Sequence, residues 1–225
     1  MSDASLYDSN IAHWDHFAKD LDKQPWGIAS MKLWRKLLPH VLKAAPFDKD
    51  TSEVMDFGCG NGFNASLLVP HAKSILGVDV SSGMVDEFNS NIQKWGLADE
   101  GKISAVRVDL TEGGLDNKKF DIIFSTMVYH HLPSVDETTK ILASFLKPGG
   151  RLLIIDWIKG QDKQQYSEQI DRIMKVDGFD EEEMKATFER AGLESLGFEP
   201  AAKINEMVGD YYLDKTAYLA WGGRK

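Results

Sequence analysis

The sequence predicts an α/β chain built on a parallel sheet with helices covering both faces. Short, nearly continuous Val/Ile/Leu runs recur at Ser74–Asp79, Phe120–Ser125 and Arg151–Asp156, as expected of strands buried on both sides. Segments of helical period separate them. The first run, Glu53–Phe57, leads straight into Gly58-Cys59-Gly60-Asn61-Gly62, a turn bare enough to let the backbone approach a ligand closely.

In chain order, Asn10–Leu21 reads as a helix with Ile11, Trp14, Phe17 and Leu21 on one stripe. Pro25-Trp26-Gly27 interrupts. A second helix spans Ser30–Lys43, its apolar face formed by Met31, Trp34, Leu37, Leu38, Val41 and Leu42. After Pro46 and the polar Asp48-Lys49-Asp50 comes the strand Glu53–Phe57, then a short helix Phe63–Val69 stopped by Pro70. Ser74–Asp79 is a strand and Ser81–Trp95 a helix with Gly96 just past its end. Ile103–Val108 and Phe120–Ser125 are strands, and Val135–Leu146 a helix. Lys147-Pro148-Gly149-Gly150 turns the chain into the strand Arg151–Asp156. A polar segment, Gln161–Lys175, has helical composition, and Asp180 caps a helix that runs to Arg190 and stops at Gly192. Leu193–Phe198 and Thr216–Trp221 read as two closing strands, with Ala201–Asp214 an irregular excursion between them.

The 225 residues suit one domain, 1–225. Its expected parts are a helical cap over 1–46, a core over 50–156, and a substrate-side segment with closing strands over 157–225. The net charge of −9 opposes phosphate backbones, so no nucleic-acid partner is expected. The single cysteine, Cys59, excludes an internal disulfide. Charges run through Met1–Asp20 and no stretch is long and apolar enough to span a membrane. The expectation is a cytoplasmic protein without a membrane partner.

In an open parallel sheet, ligands bind at the carboxyl ends of the strands, and four such ends carry suggestive groups. Asp56 precedes the glycines, where an acid favours a cationic ligand end and opposes a diphosphate. The spacing G-x-G-x-G also departs from the dinucleotide fingerprint G-x-G-x-x-G. Asp79 can accept from both ribose hydroxyls, which fits either a nicotinamide cofactor or S-adenosylmethionine. Met84 lies either against adenine or in the core. Asp109-Leu110 is placed to bond the adenine amino group and ring, or to cap a turn. At the fourth end, Ser125–Leu132, Tyr129 is a contact candidate. His130 and His131 are candidate general bases, of which at most one can point at a substrate.

The set of Asp56-Phe57-Gly58-Cys59-Gly60-Asn61-Gly62, Asp79, Asp109-Leu110, Phe120-Asp121-Ile122-Ile123 and Leu146-Lys147-Pro148-Gly149-Gly150 resembles the class I S-adenosylmethionine-dependent methyltransferases, most closely their small-molecule branch. The resemblance implies a Rossmann-like, doubly wound seven-stranded sheet in the order 3-2-1-4-5-7-6, its last strand antiparallel, with an N-terminal helical lid. It implies that Asp56 and the glycine loop hold the methionine moiety, Asp79 the ribose and Asp109 the adenine. The candidate cofactor set is Asp56, Gly58, Cys59, Gly60, Asp79, Val80, Met84, Asp109, Leu110 and Ser125, with Tyr7 and Trp14 from the lid. Trp26, Tyr129, Trp157, Met207, Tyr211 and Tyr212 are the candidate substrate residues.

The same resemblance narrows the chemistry. Ser125-Thr126-Met127-Val128 is not the Asn/Asp-Pro-Pro-aromatic motif of enzymes that methylate base or amide nitrogens. Asp156-Trp157 is not the Asp-Asn pair of magnesium-dependent catechol-type enzymes, and His13 with His16 is too few ligands for a metal, so none is expected. Tyr211–Lys215 fits Y-x-x-x-K, the dyad of short-chain dehydrogenases, but stands just before a terminal strand. The expected activity is methyl transfer to an O, N or S atom of a small apolar or aromatic molecule by a monomer or homodimer. The alternatives are a protein-lysine methyltransferase, a non-catalytic S-adenosylmethionine-binding partner subunit, and an NAD-dependent reductase.

Overall fold

The computed structural model describes residues 3–98, 101–111, 113–116, 118–161 and 173–225. A seven-stranded sheet runs in the order β3-β2-β1-β4-β5-β7-β6. The strands are β1 (Glu53–Phe57), β2 (Ser74–Asp79), β3 (Ile103–Arg107), β4 (Phe120–Thr126), β5 (Leu146–Trp157), β6 (Glu194–Val208) and β7 (Tyr211–Gly223). The first five pair in parallel, and β7 is antiparallel to both neighbours. This is the order that the motif resemblance implies.

The central strands alternate strictly between two cores. Val54, Ile122, Phe124, Leu153, Ile155 and Leu219 face one layer. Met55, Ile123, Leu152, Ile154, Tyr218 and Ala220 face the other. Successive side chains of a strand leave on opposite faces, so an unbroken apolar run is what a doubly covered strand requires. Helices α2 (Pro25–Ala44), α3 (Phe63–Leu68) and α4 (Ser82–Lys94) pack on the first face, α5 (Val135–Phe145) and α6 (Glu181–Arg190) on the second.

Three elements differ from the sequence expectation. The first helix, α1, spans Asp3–Phe17 and passes into a 3₁₀ turn over Ala18–Lys23. Pro25 does not interrupt but starts α2, at a first-turn position where its missing N–H costs nothing. Gly27 is obligatory there, because a Cβ would lie 1.8 Å from the Leu21 carbonyl oxygen. The expected excursion at Ala201–Asp214 is instead the far half of a long β6–β7 hairpin, paired without a break from Ala202↔Ala217 to Val208↔Tyr211. Gly209-Asp210 closes it, with Gly209 at φ +62°, the two-residue turn that suits the twist of a hairpin. The expected helical segment Gln161–Lys175 lies mostly outside the described residues.

Helix α2 rides on this hairpin. Lys32 pairs with Glu206 at 2.9 Å, His40 with Glu199 at 2.7 Å, and the Lys36 ammonium donates to the Lys203 carbonyl at 3.2 Å. No helix among the described residues is long and apolar enough to cross a membrane.

Candidate active site

A cavity of about 500 Å³ opens at the carboxyl ends of β1, β2 and β4, roofed by α1 and walled on one side by α2. The glycine loop forms its floor. Gly58 has φ +70°, and a Cβ there would lie 2.3 Å from the Val128 side chain. Gly62, at φ +86°, would place a Cβ 2.8 Å from the Phe88 ring. Gly60 differs: it is left-handed at φ +51°, and a Cβ there would meet nothing within 4 Å. Two glycines therefore fold the loop, and the third leaves room above it.

Asp79 lines the cavity beside Gly60. Its carboxylate accepts from the Gly60 amide at 3.0 Å and the Ser81 amide at 2.9 Å, one on each oxygen. Each oxygen keeps a lone pair for a further donor. Burial pushes its carboxyl above the usual range, and the backbone donors oppose this in part. Asp109 lines the cavity at the end of β3. Burial raises this carboxyl too, but bonds from Thr111 and Tyr7 outweigh it and hold the group below the usual range. Val80, Met84, Leu110 and Cys59 complete this half. Burial raises the Cys59 thiol well above its usual value, so the cysteine stays a neutral packed side chain.

Asp56 does not line the cavity. It is buried in β1 beneath the loop, and its Oδ2 has no hydrogen-bond partner. Burial first, and the Asp79 charge second, drive its carboxyl well above the usual range. An unpartnered buried acid with a second acid beside it is complementary to a cation bound over Gly60. The donor set thus fits S-adenosylmethionine, which carries a sulfonium and an ammonium at one end and two ribose hydroxyls at the other. A dinucleotide diphosphate would be repelled.

Helix α1 is fastened over the opening by polar contacts. The Tyr7 hydroxyl donates to Asp109 Oδ2 at 2.5 Å. Asp15 accepts from the Ser81 hydroxyl at 2.6 Å and the Gly83 amide at 2.8 Å, a carboxylate at the positive end of α4. Trp14 of α1 meets Trp26 of α2 edge-on at 5.4 Å and the His131 ring at 5.6 Å. All three line the cavity.

The two histidines separate cleanly. His130 is only 5% exposed and does not reach the cavity. Its Nδ1 lies 2.7 Å from Asp156 Oδ1, and its backbone amide donates to Asp156 Oδ2 at 3.1 Å. His131 lines the cavity, with Nδ1 2.6 Å from the Ile173 carbonyl oxygen. A carbonyl only accepts, so Nδ1 carries the proton and Nε2 is the basic nitrogen of the neutral ring. Burial first, and His130 next, lower the His131 pKa well below the usual imidazole range.

Other expected site residues stand away from the lining of this cavity. Ser125 is buried and donates to the Phe57 carbonyl at 2.9 Å, fastening β4 to β1 away from the cavity. Tyr129 is fully buried, with its hydroxyl 3.0 Å from Thr139 Oγ1, and packs on Phe179 in the second core. Trp157 lies under the Lys215 ammonium, 5.6 Å from it, and is not on the cavity wall. Met207 and Tyr212 are 60% and 51% exposed and face each other across the hairpin near its tip. Tyr211 pairs with Val208 at that tip. Further lining comes from Trp26, Met31, Trp34 and Leu37 of α2, with Thr126 at the end of β4 and Met127 just after it. Of these only Trp26 was expected. Trp34 and Leu37 read in the sequence as an ordinary apolar helix face. Among the described residues, no group of three or more His, Cys, Asp or Glu side chains could hold a metal.

Comparison with known proteins agrees with this geometry. A family described as "Methyltransferase domain" matches residues 30–196. An uncharacterized methyltransferase of Schizosaccharomyces pombe is 31% identical over 76% of this chain and 61% of its own length. The ubiquinone biosynthesis O-methyltransferase of Coxiella burnetii is 30% identical over 44% of this chain and 41% of its own. The chain thus spans about half the length of these curated relatives. In structure, it resembles a Haemonchus contortus phosphoethanolamine N-methyltransferase in complex with S-adenosylhomocysteine, with a TM-score of 0.66, 15% identity, and coverage of 85% of this chain and 52% of that one. With the strand order, the glycine loop and the paired acids at the ends of β2 and β3, the family match over 30–196 makes this chain a member of the methyltransferase-domain family, of the class I S-adenosylmethionine-dependent fold.

Proposed function

We propose that this protein transfers a methyl group from S-adenosylmethionine to an O, N or S atom of a small apolar or aromatic molecule. The observation that carries this is a single cavity lined both by Asp79, Asp109 and the open face of Gly60 and by the apolar side chains Trp14, Trp26, Met31 and Trp34, with His131 on its wall.

When bound, the cofactor supplies a methyl group activated by a positive sulfur. The chain does the rest. Asp79 offers its free lone pairs to the ribose hydroxyls, Tyr7 and Asp109 close the adenine end, and Asp56 with the Gly60 loop favours the cationic end. Helix α1 keeps water from the reacting atoms, and the tryptophans hold a flat or apolar acceptor in line. Orientation of this kind can contribute about 7–11 kcal/mol. An alcohol, phenol or ammonium acceptor must lose a proton, and Nε2 of His131 is the group to receive it.

Titrating S-adenosylmethionine and NADH calorimetrically into the full chain tests the cofactor, and preferential NADH binding would overturn the reading. Release of S-adenosylhomocysteine with a panel of phenols, amines and thiols tests turnover. Tight cofactor binding with no turnover on any acceptor, including a lysine peptide, would point instead to a non-catalytic subunit.

A further inference from the structure

Asn10 of α1 lies one helical turn from both Tyr7 and Trp14 and lines the same cavity, although only 8% exposed. Its amide nitrogen donates to two carbonyls at 3.0 Å each, Leu6 in its own helix and Ile173 beyond β5. Both partners only accept, so the amide orientation is set by chemistry. The Ile173 carbonyl is also the acceptor for His131 Nδ1, at 2.6 Å. One carbonyl oxygen, with its two lone pairs, thus joins the lid helix to the histidine on the cavity wall.

The surroundings leave this carbonyl little freedom. Ile173 is buried. The amides of Lys175 and Val176 donate to the His130 carbonyl at 2.7 and 3.4 Å, so the segment from Ile173 to Val176 is laced onto the two histidines. His130 is fixed from below by both oxygens of Asp156. Trp14 presses edge-on against the His131 ring from α1. Among the described residues, the Asn10 amide and the His131 ring are the side chains that bond the Ile173 carbonyl.

We infer that Asn10 is a positioning residue for His131: by clipping the Ile173 carbonyl it keeps the imidazole proton on Nδ1 and leaves Nε2 as the proton acceptor. The catalytic meaning rests on the proposed function; the tautomer itself does not. Protic acceptors would depend on Asn10 as they depend on His131, whereas a thiol that is already ionised would depend on neither. Among the described residues, the titratable groups near the ring are His130 beside it, Asp156 behind His130, His13 on α1 and Glu137 on the cavity wall.

Long-range ¹H–¹⁵N imidazole spectra of the ¹⁵N-labelled full chain at pH 7.5, with His131 assigned through His131→Ala, test this without any acceptor. The wild-type protein is expected to show His131 as the Nδ1–H tautomer. In Asn10→Ala and Asn10→Asp, melting cooperatively as checked by circular dichroism, the unclipped carbonyl turns from Nδ1, and the Nε2–H form should rise about fivefold, the effect of forfeiting one modest hydrogen bond at Nδ1. An Nε2–H ring in the wild type, or an unchanged tautomer in both folded variants, overturns the inference. Should Asn10→Ala fail to fold, the isosteric Asn10→Asp and the wild-type spectrum still decide. If the tautomer responds while His131→Ala turns over every acceptor normally, the positioning stands and the base in the proposed function falls.

Discussion

Replacing Asp79 by Asn should weaken S-adenosylmethionine binding far more than it weakens the fold. The carboxylate uses one oxygen for the Gly60 amide at 3.0 Å and the other for the Ser81 amide at 2.9 Å. Asparagine has one oxygen, so in either orientation its NH₂ group faces a backbone N–H, and one ribose hydroxyl loses its charged acceptor. A hydrogen bond to a charged group contributes about 1.5–3 kcal/mol, so one lost contact weakens binding about 10- to 150-fold. Stability changes less. The loop loses one bond, but the variant also loses a buried acid whose ionisation is disfavoured by burial. Calorimetric titration with S-adenosylmethionine and S-adenosylhomocysteine, alongside thermal melts, separates the two effects. Affinity within about threefold of wild type, on a protein with an unchanged melt, would refute the assignment of Asp79 to the ribose, since that is under 0.7 kcal/mol.

Asp56→Asn should stabilise the ligand-free protein near neutral pH while weakening the cofactor. The folded-state carboxyl is raised above its unfolded value, so its contribution is fully present below about pH 4 and is lost as pH rises through the folded value. The gap between variant and wild type in urea melts should therefore widen from pH 4 to 8. Gly58→Ala combines φ +70° with a Cβ 2.3 Å from Val128 and should cost about 1–3 kcal/mol. Val128→Ala in the same chain should recover only the part due to the clash, as a double-mutant cycle in denaturant would measure. Met207→Ala and Tyr212→Ala, both on the exposed hairpin, should leave stability within about 0.5 kcal/mol and cofactor affinity within twofold. A larger loss of affinity in titrations would return the hairpin tip to the site.

The sheet was legible because its strands are buried on both faces. Ile122-Ile123-Phe124 and Leu152–Ile155 leave no polar face to mistake, and Asp56, Asp79 and Asp109 each follow from where a strand must end. What the sequence hid was direction. Ser125 and Thr126 are neighbours on β4, yet Thr126 lines the cavity and Ser125 bonds the next strand. Composition cannot say which of two alternating residues faces a ligand. The same ambiguity took Tyr129 into the core. Starting the first helix at Asn10 hid the common face of Tyr7, Asn10 and Trp14, which a start at Asp3 makes plain. Gly209-Asp210 was readable as a two-residue hairpin turn. Its polar flanks, solvated on one side and covered by α2 on the other, looked instead like loop.

The hairpin gives helix α2 a second support besides the sheet. Residues that bind α2 from outside, Glu199, Lys203 and Glu206, belong to strands that never touch the glycine loop. They hold the outer face of α2, whose inner face carries Leu33, Trp34, Leu37 and Val41 into the sheet core. Helix α2 is thus held from two sides, by the sheet core and by a solvent-facing strand, whereas the glycine loop is set into the middle of the sheet. On the proposed function, a search for specificity determinants should therefore include the outer edge of β6, which bears on α2 from outside the cavity.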